Sequence, residues 1–142
     1  MRLFLDTNIL LDVFLNRPGK PGSLQVLLCC LLTGVEGWIA WHSISNGFYI
    51  VRRETQSLSE AKRFASELLQ WASVAGVGTK EAVDAEQMNL DDMEDAMQIA
   101  AALACSANVI VTRNVPDFMS SPVPVMTPED FMSQFGPSLP KS

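Results

Sequence analysis

The sequence predicts an α/β protein, a three-layer α/β/α sandwich around a central parallel sheet of about five strands. Short apolar runs alternate with helix-period segments, and strands separated by helices pair in parallel with both faces covered. Apolar residues make up 48% of the 142 residues, enough for the full core of one domain. Three remote segments each deliver carboxylates to a turn or a helix start, and open α/β sheets bind ligands at the carboxyl ends of their strands.

Leu3-Phe4-Leu5 reads as a short buried strand. Asp6 or Thr7 then caps a helix through about Leu15, ended by Asn16-Arg17-Pro18-Gly19. A second helix spans about Gly22 to Leu32, and Gly37 to Trp41 reads as a strand. Ser43 caps a helix from Ile44 to about Glu54. Ser57 or Ser59 caps the next, which ends near Trp71. Val74 to Val77 is a short strand, and a short helix runs from Thr79 toward Gln87. The strongest helix covers Asp91 to about Ser106. Val109 to Val111 is a β-branched strand and Pro124 to Met126 another. Thr127 caps a last helix with Pro128 in its first turn. One domain over 1–135 follows, with a disordered tail over 136–142.

The three acidic segments carry the chemistry. Asp6 ends the first apolar run, as a helix cap or as a metal ligand; the two readings are compatible. In Asp91-Asp92-Met93-Glu94-Asp95 the helix dipole accounts for the early acids, and Asp91 with Glu94 fits a capping box. Asp95 is different. Asp92, Asp95, Ile99 and Leu103 lie along one helical stripe, and if Ile99 and Leu103 face the core Asp95 points at or near it. A partly buried carboxylate needs a cation or hydrogen-bond donors. The third segment, Thr112-Arg113-Asn114-Val115-Pro116-Asp117-Phe118, offers Asp117 as ligand or as turn cap, and Thr112 and Asn114 to orient water or a phosphate oxygen. Asn8 is placed as a hydrogen-bond partner for Asp6, and Asp12 as a solvated or structural residue. Three converging acids would suit a hard divalent cation.

Several classes are excluded or disfavoured. A net charge of −6 argues against broad electrostatic binding of nucleic acid, though not against a local site. Arg52-Arg53 and Lys62-Arg63 are the dense positive pairs, read as solvated helix faces. No apolar run reaches the roughly 18 residues of a membrane span, and the start of the chain lacks a signal-peptide layout. Cys29, Cys30 and Cys105 lack metal-ligand spacing and read as reduced core thiols of a cytoplasmic protein. One histidine, His42, allows no Ser-His-Asp set and reads as structural or exposed. No Gly-rich phosphate loop is present.

Asp6-Thr7-Asn8-Ile9-Leu10-Leu11-Asp12, Glu94-Asp95-Ala96 opening an alanine-rich helix, and Thr112-Arg113-Asn114 followed by Asp117-Phe118 resemble the PIN-domain family. The resemblance runs from about Met1 to about Phe135. It implies a metal-dependent ribonuclease of the VapC-type toxin kind. Asp6, Asp95 and Asp117, with Asp92 beside them, would hold Mg²⁺ or Mn²⁺. The implied partners are RNA, single-stranded by family analogy, and a cognate antitoxin. A homodimer is expected because Leu27 to Leu32 is apolar on all sides of its helix, and members of the family dimerise through helices. One departure matters. Where the family usually carries a glutamate as its second core acid, this chain has Asn46. An amide can ligate through its carbonyl oxygen but brings no charge and cannot be a base. The rival expectation is therefore a PIN-fold binding module, for nucleic acid or protein, with weak or no catalysis.

Overall fold

A computed structural model describes residues 1–138. Its strands are β1 (Arg2–Leu5), β2 (Glu36–Ile39), β3 (Ser73–Val74), β4 (Val109–Val111) and β5 (Val125–Met126). Among the described residues seven helices alternate with them: α1 (Thr7–Phe14), α2 (Lys20–Leu32), α3 (Trp41–Thr55), α4 (Leu58–Trp71), α5 (Thr79–Glu86), α6 (Met93–Ala104) and α7 (Pro128–Phe135). The strands form one parallel sheet in the order β3-β2-β1-β4-β5. The expected three-layer architecture is the observed one.

Strand alternation divides the core between the two faces of the sheet. Leu3 and Leu5 point to one side, where Ile9, Leu11, Val26, Val51, Phe64 and Phe131 pack. Phe4 and Ile110 point to the other, under Ile99, Ala102 and Phe118. Leu3, Phe4 and Leu5 are completely buried, and each such side chain stabilises the fold by roughly 2 kcal/mol. Gly47 is required by packing between α3 and α4, because a Cβ there would lie 2.4 Å from the Phe64 ring.

Several local expectations are corrected. Helix α3 begins at Trp41, so Ser43 is not its cap; the Ser43 hydroxyl is buried and accepts a 2.7 Å hydrogen bond from Thr7. Helix α6 begins at Met93 and is capped by Asp92, whose carboxylate accepts from the backbone N–H groups of Glu94 and Asp95, in place of an Asp91–Glu94 box. Leu103 is 45% exposed and does not share the core position of Ile99. Gly136–Ser138 form a 3-10 turn where a disordered tail was expected; the rest of that tail lies outside the described residues. Thr127 caps α7 by accepting from the Asp130 N–H, and Ser57 caps α4 by accepting from Glu60.

In a parallel sheet all strands point the same way. The residues that follow β1 and β4 therefore emerge side by side at one edge, where the Asp6 N–H extends the ladder to the Val111 carbonyl at 3.1 Å. That register brings Asp6 and Thr112 together.

Candidate functional site

Asp6 is 4% exposed at the carboxyl end of β1. It occupies the cap position of α1, yet its side chain makes no cap hydrogen bond. Both oxygens are engaged elsewhere: Oδ2 accepts from the Thr112 hydroxyl at 2.8 Å and Oδ1 from Gln98 Nε2 at 3.1 Å. The Asn114 N–H in turn donates to Thr112 Oγ1 at 3.0 Å. A chain of neutral donors thus runs from the segment after β4 to a buried carboxylate. Gln98, on α6, is the contact that sequence reasoning missed. The available signal was a long polar side chain among Ala96, Ile99, Ala100, Ala101 and Ala102, all of them buried.

Asp95 is half-buried on the first turn of α6. Its carboxyl is pushed up to about 6, first by burial and then by the negative charges of Asp92, Asp117, Asp6 and Glu94. The carboxylates at the start of α6, the end of β1 and the turn after β4 therefore share one field. Asp117 is exposed, in a 3-10 turn over Val115–Phe118. None of Asp6, Asp92, Glu94, Asp95 and Asp117 forms an ion pair among the described residues.

Beside these acids lies an open cleft of about 350 Å³, lined by Thr7, Asn8, Asn46, Tyr49, Ile50 and Glu94. Asn46 thus stands on the cleft wall. Glu94, read from sequence as a helix-dipole residue, stands there with it. Asn8 does not bond Asp6, as expected of it; its Oδ1 faces Arg17 at 3.5 Å. His42 is half-buried near the same edge. Burial lowers its imidazole pKa against the opposing pull of Glu94 and Asp6, and its Nε2 has no partner. Asp12 is a structural residue: it is 5% exposed and paired with Arg113 at 2.7 Å.

The sequence profile of the PIN domain matches residues 2–116. The chain belongs to the PIN-domain family. Solved structures share the fold at low identity. VapBC2 from Rickettsia felis, determined with a DNA fragment from its promoter, aligns with a TM-score of 0.67 at 16% identity, over 89% of this chain and 98% of that one. VapBC-1 from nontypeable Haemophilus influenzae gives 0.67 at 19% identity, over 91% and 99%. The sarcin-ricin-loop-cleaving toxin VapC20 of Mycobacterium tuberculosis gives 0.63 at 12% identity, over 76% and 86%. No curated protein sequence matches significantly. No helix among the described residues is long and apolar enough to cross a membrane.

PIN-domain nucleases generally use a divalent metal ion, and the donor set here fits one kind. The side chains grouped around Asp95 in this field are carboxylates, which suit a hard cation rather than a thiolate or imidazole site. Among the described residues no three acidic, histidine or cysteine side chains converge as a ready-made metal cage.

Proposed function

We propose that this PIN domain is a Mg²⁺- or Mn²⁺-dependent ribonuclease that hydrolyses phosphodiester bonds, with single-stranded RNA as substrate, and that it is the toxin of a toxin–antitoxin pair. The observation that carries the reading is the unpaired acid field around Asp95, at the strand-end edge of a PIN-domain sheet. Asp6, Asp95 and Asp117 would hold the ion, with Asp92 adding negative charge from its cap position. The bound ion supplies a water of lowered pKa and offsets charge on the leaving oxygen. Asp6 is kept in one orientation by its two hydrogen bonds. Thr112 and Asn114 set the position of that carboxylate from β4, and Asn8 and Asn46 present amides along the cleft beside it.

The likeness to VapBC structures supports a cognate antitoxin as partner. Leu28, Leu31 and Leu32, exposed by 40, 52 and 55% on α2, support a homodimer, for which light scattering should give twice the chain mass. Three free cysteines agree with the cytoplasm.

The test is cleavage of single-stranded RNA under Mg²⁺ or Mn²⁺ titration, with Asp6→Asn and Asp95→Asn beside the wild type. Metal-dependent cleavage lost in both variants is the expected result, and cleavage at the wild-type rate in both overturns the site. A specific observation favours a second reading, a binding module without catalysis: an amide, Asn46, lines the cleft where the family pattern has a carboxylate. Under that reading the wild type binds RNA and does not cut it. Asn46→Glu should then tighten Mn²⁺ binding, since an anion near a divalent ion attracts it even after screening.

A further inference from the structure

Helix α6 buries six residues, Ala96, Gln98, Ile99, Ala100, Ala101 and Ala102. Five are apolar. Gln98 is 2% exposed and its amide is only half used: Nε2 donates to Asp6 Oδ1 at 3.1 Å, while Oε1 accepts from no protein group. A buried amide with an idle carbonyl is costly, and a volume-matched apolar side chain would avoid that cost. Packing therefore does not account for a glutamine here.

The neighbouring carboxylate does. Asp6 is 4% exposed, has no cation partner among the described residues, and is held by two neutral donors from different elements. Thr112 comes from the end of β4 and Gln98 from α6. An ionised carboxylate has about four acceptor sites. Two are filled, both oxygens are pinned, and lone pairs remain on each. Neutral donors leave the negative charge in place, whereas an arginine partner would cancel it. We propose that Gln98 is a positioning residue, which together with Thr112 fixes the Asp6 carboxylate in its ligating orientation. This rests on the divalent-ion reading above.

The experiment is calorimetric titration of the full chain with Mn²⁺, with thermal unfolding of each protein in a chelator. Gln98→Met keeps length and volume and removes both amide atoms. It should bind Mn²⁺ about 10- to 100-fold more weakly, the usual effect of losing a residue that orients a metal ligand. Its metal-free unfolding midpoint should fall only slightly, because the idle buried carbonyl goes together with the donor that Asp6 loses. A merely structural glutamine gives the reverse: a markedly lowered midpoint with unchanged Mn²⁺ affinity, which overturns the proposal. Gln98→Asn, one methylene too short to reach Asp6, should show the same weakening and serves if Gln98→Met does not fold. Gln70→Met on the exposed face of α4 should change neither quantity. A wild type that binds no Mn²⁺ overturns the ion reading and this inference with it. A wild type that binds, beside Gln98 variants that bind equally well, overturns this inference alone.

Discussion

Asp6 opens α1 and Asp12 lies within it, and the two are buried alike, at 4% and 5% exposed. Their surroundings are opposite. Asp12 Oδ2 accepts from Arg113 Nε at 2.7 Å and from the Ser23 hydroxyl at 2.9 Å. The same guanidinium reaches Glu129 at 3.0 Å and the Gly19 carbonyl, so one arginine ties β4 to α1, α2 and α7. Asp6 has only an amide and a hydroxyl, and its neighbours in the field of Asp95 are more acids. A carboxylate whose charge is cancelled inside the protein serves the fold. One whose charge is left standing at a strand end is available to something from outside. Burial alone does not separate the two; the charge of the partner does.

Three measurements sharpen or break this comparison. The largest effect belongs to Arg113→Met. It strands the Asp12 carboxylate in the interior, and removing one partner of a buried pair costs about 3–5 kcal/mol, at the lower end here because Arg113 is partly exposed. Urea denaturation should show it, and adding Asp12→Leu should recover most of the loss. A cost below about 1 kcal/mol for Arg113→Met would put Asp12 in the same class as Asp6.

The next effect has the opposite sign. Asp95 takes up its proton near pH 6 in the fold and near the ordinary 3.8 when unfolded. Between those values the folded state binds more protons, so its stability falls as the pH rises through that window and the full penalty applies above it. In the absence of metal, Asp95→Asn should therefore stabilise the protein at pH 7, by on the order of 1 kcal/mol after solvent screening. Below about pH 4 it should bring no gain, since the carboxyl is then protonated in both states. Equal urea midpoint shifts at the two pH values would mean that neither burial nor the neighbouring acids hold the Asp95 carboxyl up in the fold. The smallest effect is that of Ser23→Ala, which removes one neutral hydrogen bond from Asp12 and leaves Arg113 in place. It should cost about 1 kcal/mol or less. A loss as large as that of Arg113→Met would show that the hydroxyl, and not the charge, satisfies Asp12.

Much of this was legible in the residues because the signals are local. Leu3-Phe4-Leu5 and Val109 to Val111 are short apolar runs ending at polar residues, so both strands and their strand-end acids follow from pattern alone. Asp95 stood out because Ile99, one turn on, had to face the core. What pattern could not supply lies across the chain. Gln98 reaches Asp6 over 92 positions and Arg113 reaches Asp12 over 101, and such pairs are set by how distant elements stack. Asp6 looked like a cap because Asp is favoured there, yet donors from Gln98 and Thr112 claimed both of its oxygens. Leu103 was placed one turn too far along the buried stripe, where α6 has already turned its side chain to solvent. Glutamine is an ordinary helix former, so Gln98 looked unremarkable until its burial was known.

The strand order bears on when the site comes into being. Central β1 is made first and pairs on one side with β2, but on the other with β4, through Leu3–Val109 and Leu5–Val111. While the ribosome has delivered only the first hundred residues, Asp6 has neither the Thr112 hydroxyl nor a neighbouring β4 to rest on. Closing contacts across that span is slow for entropic reasons. The surroundings of Asp6 are therefore completed late in synthesis, and a chain released before residue 109 carries Asp6 and Asp95 without β4, Thr112 or Asp117.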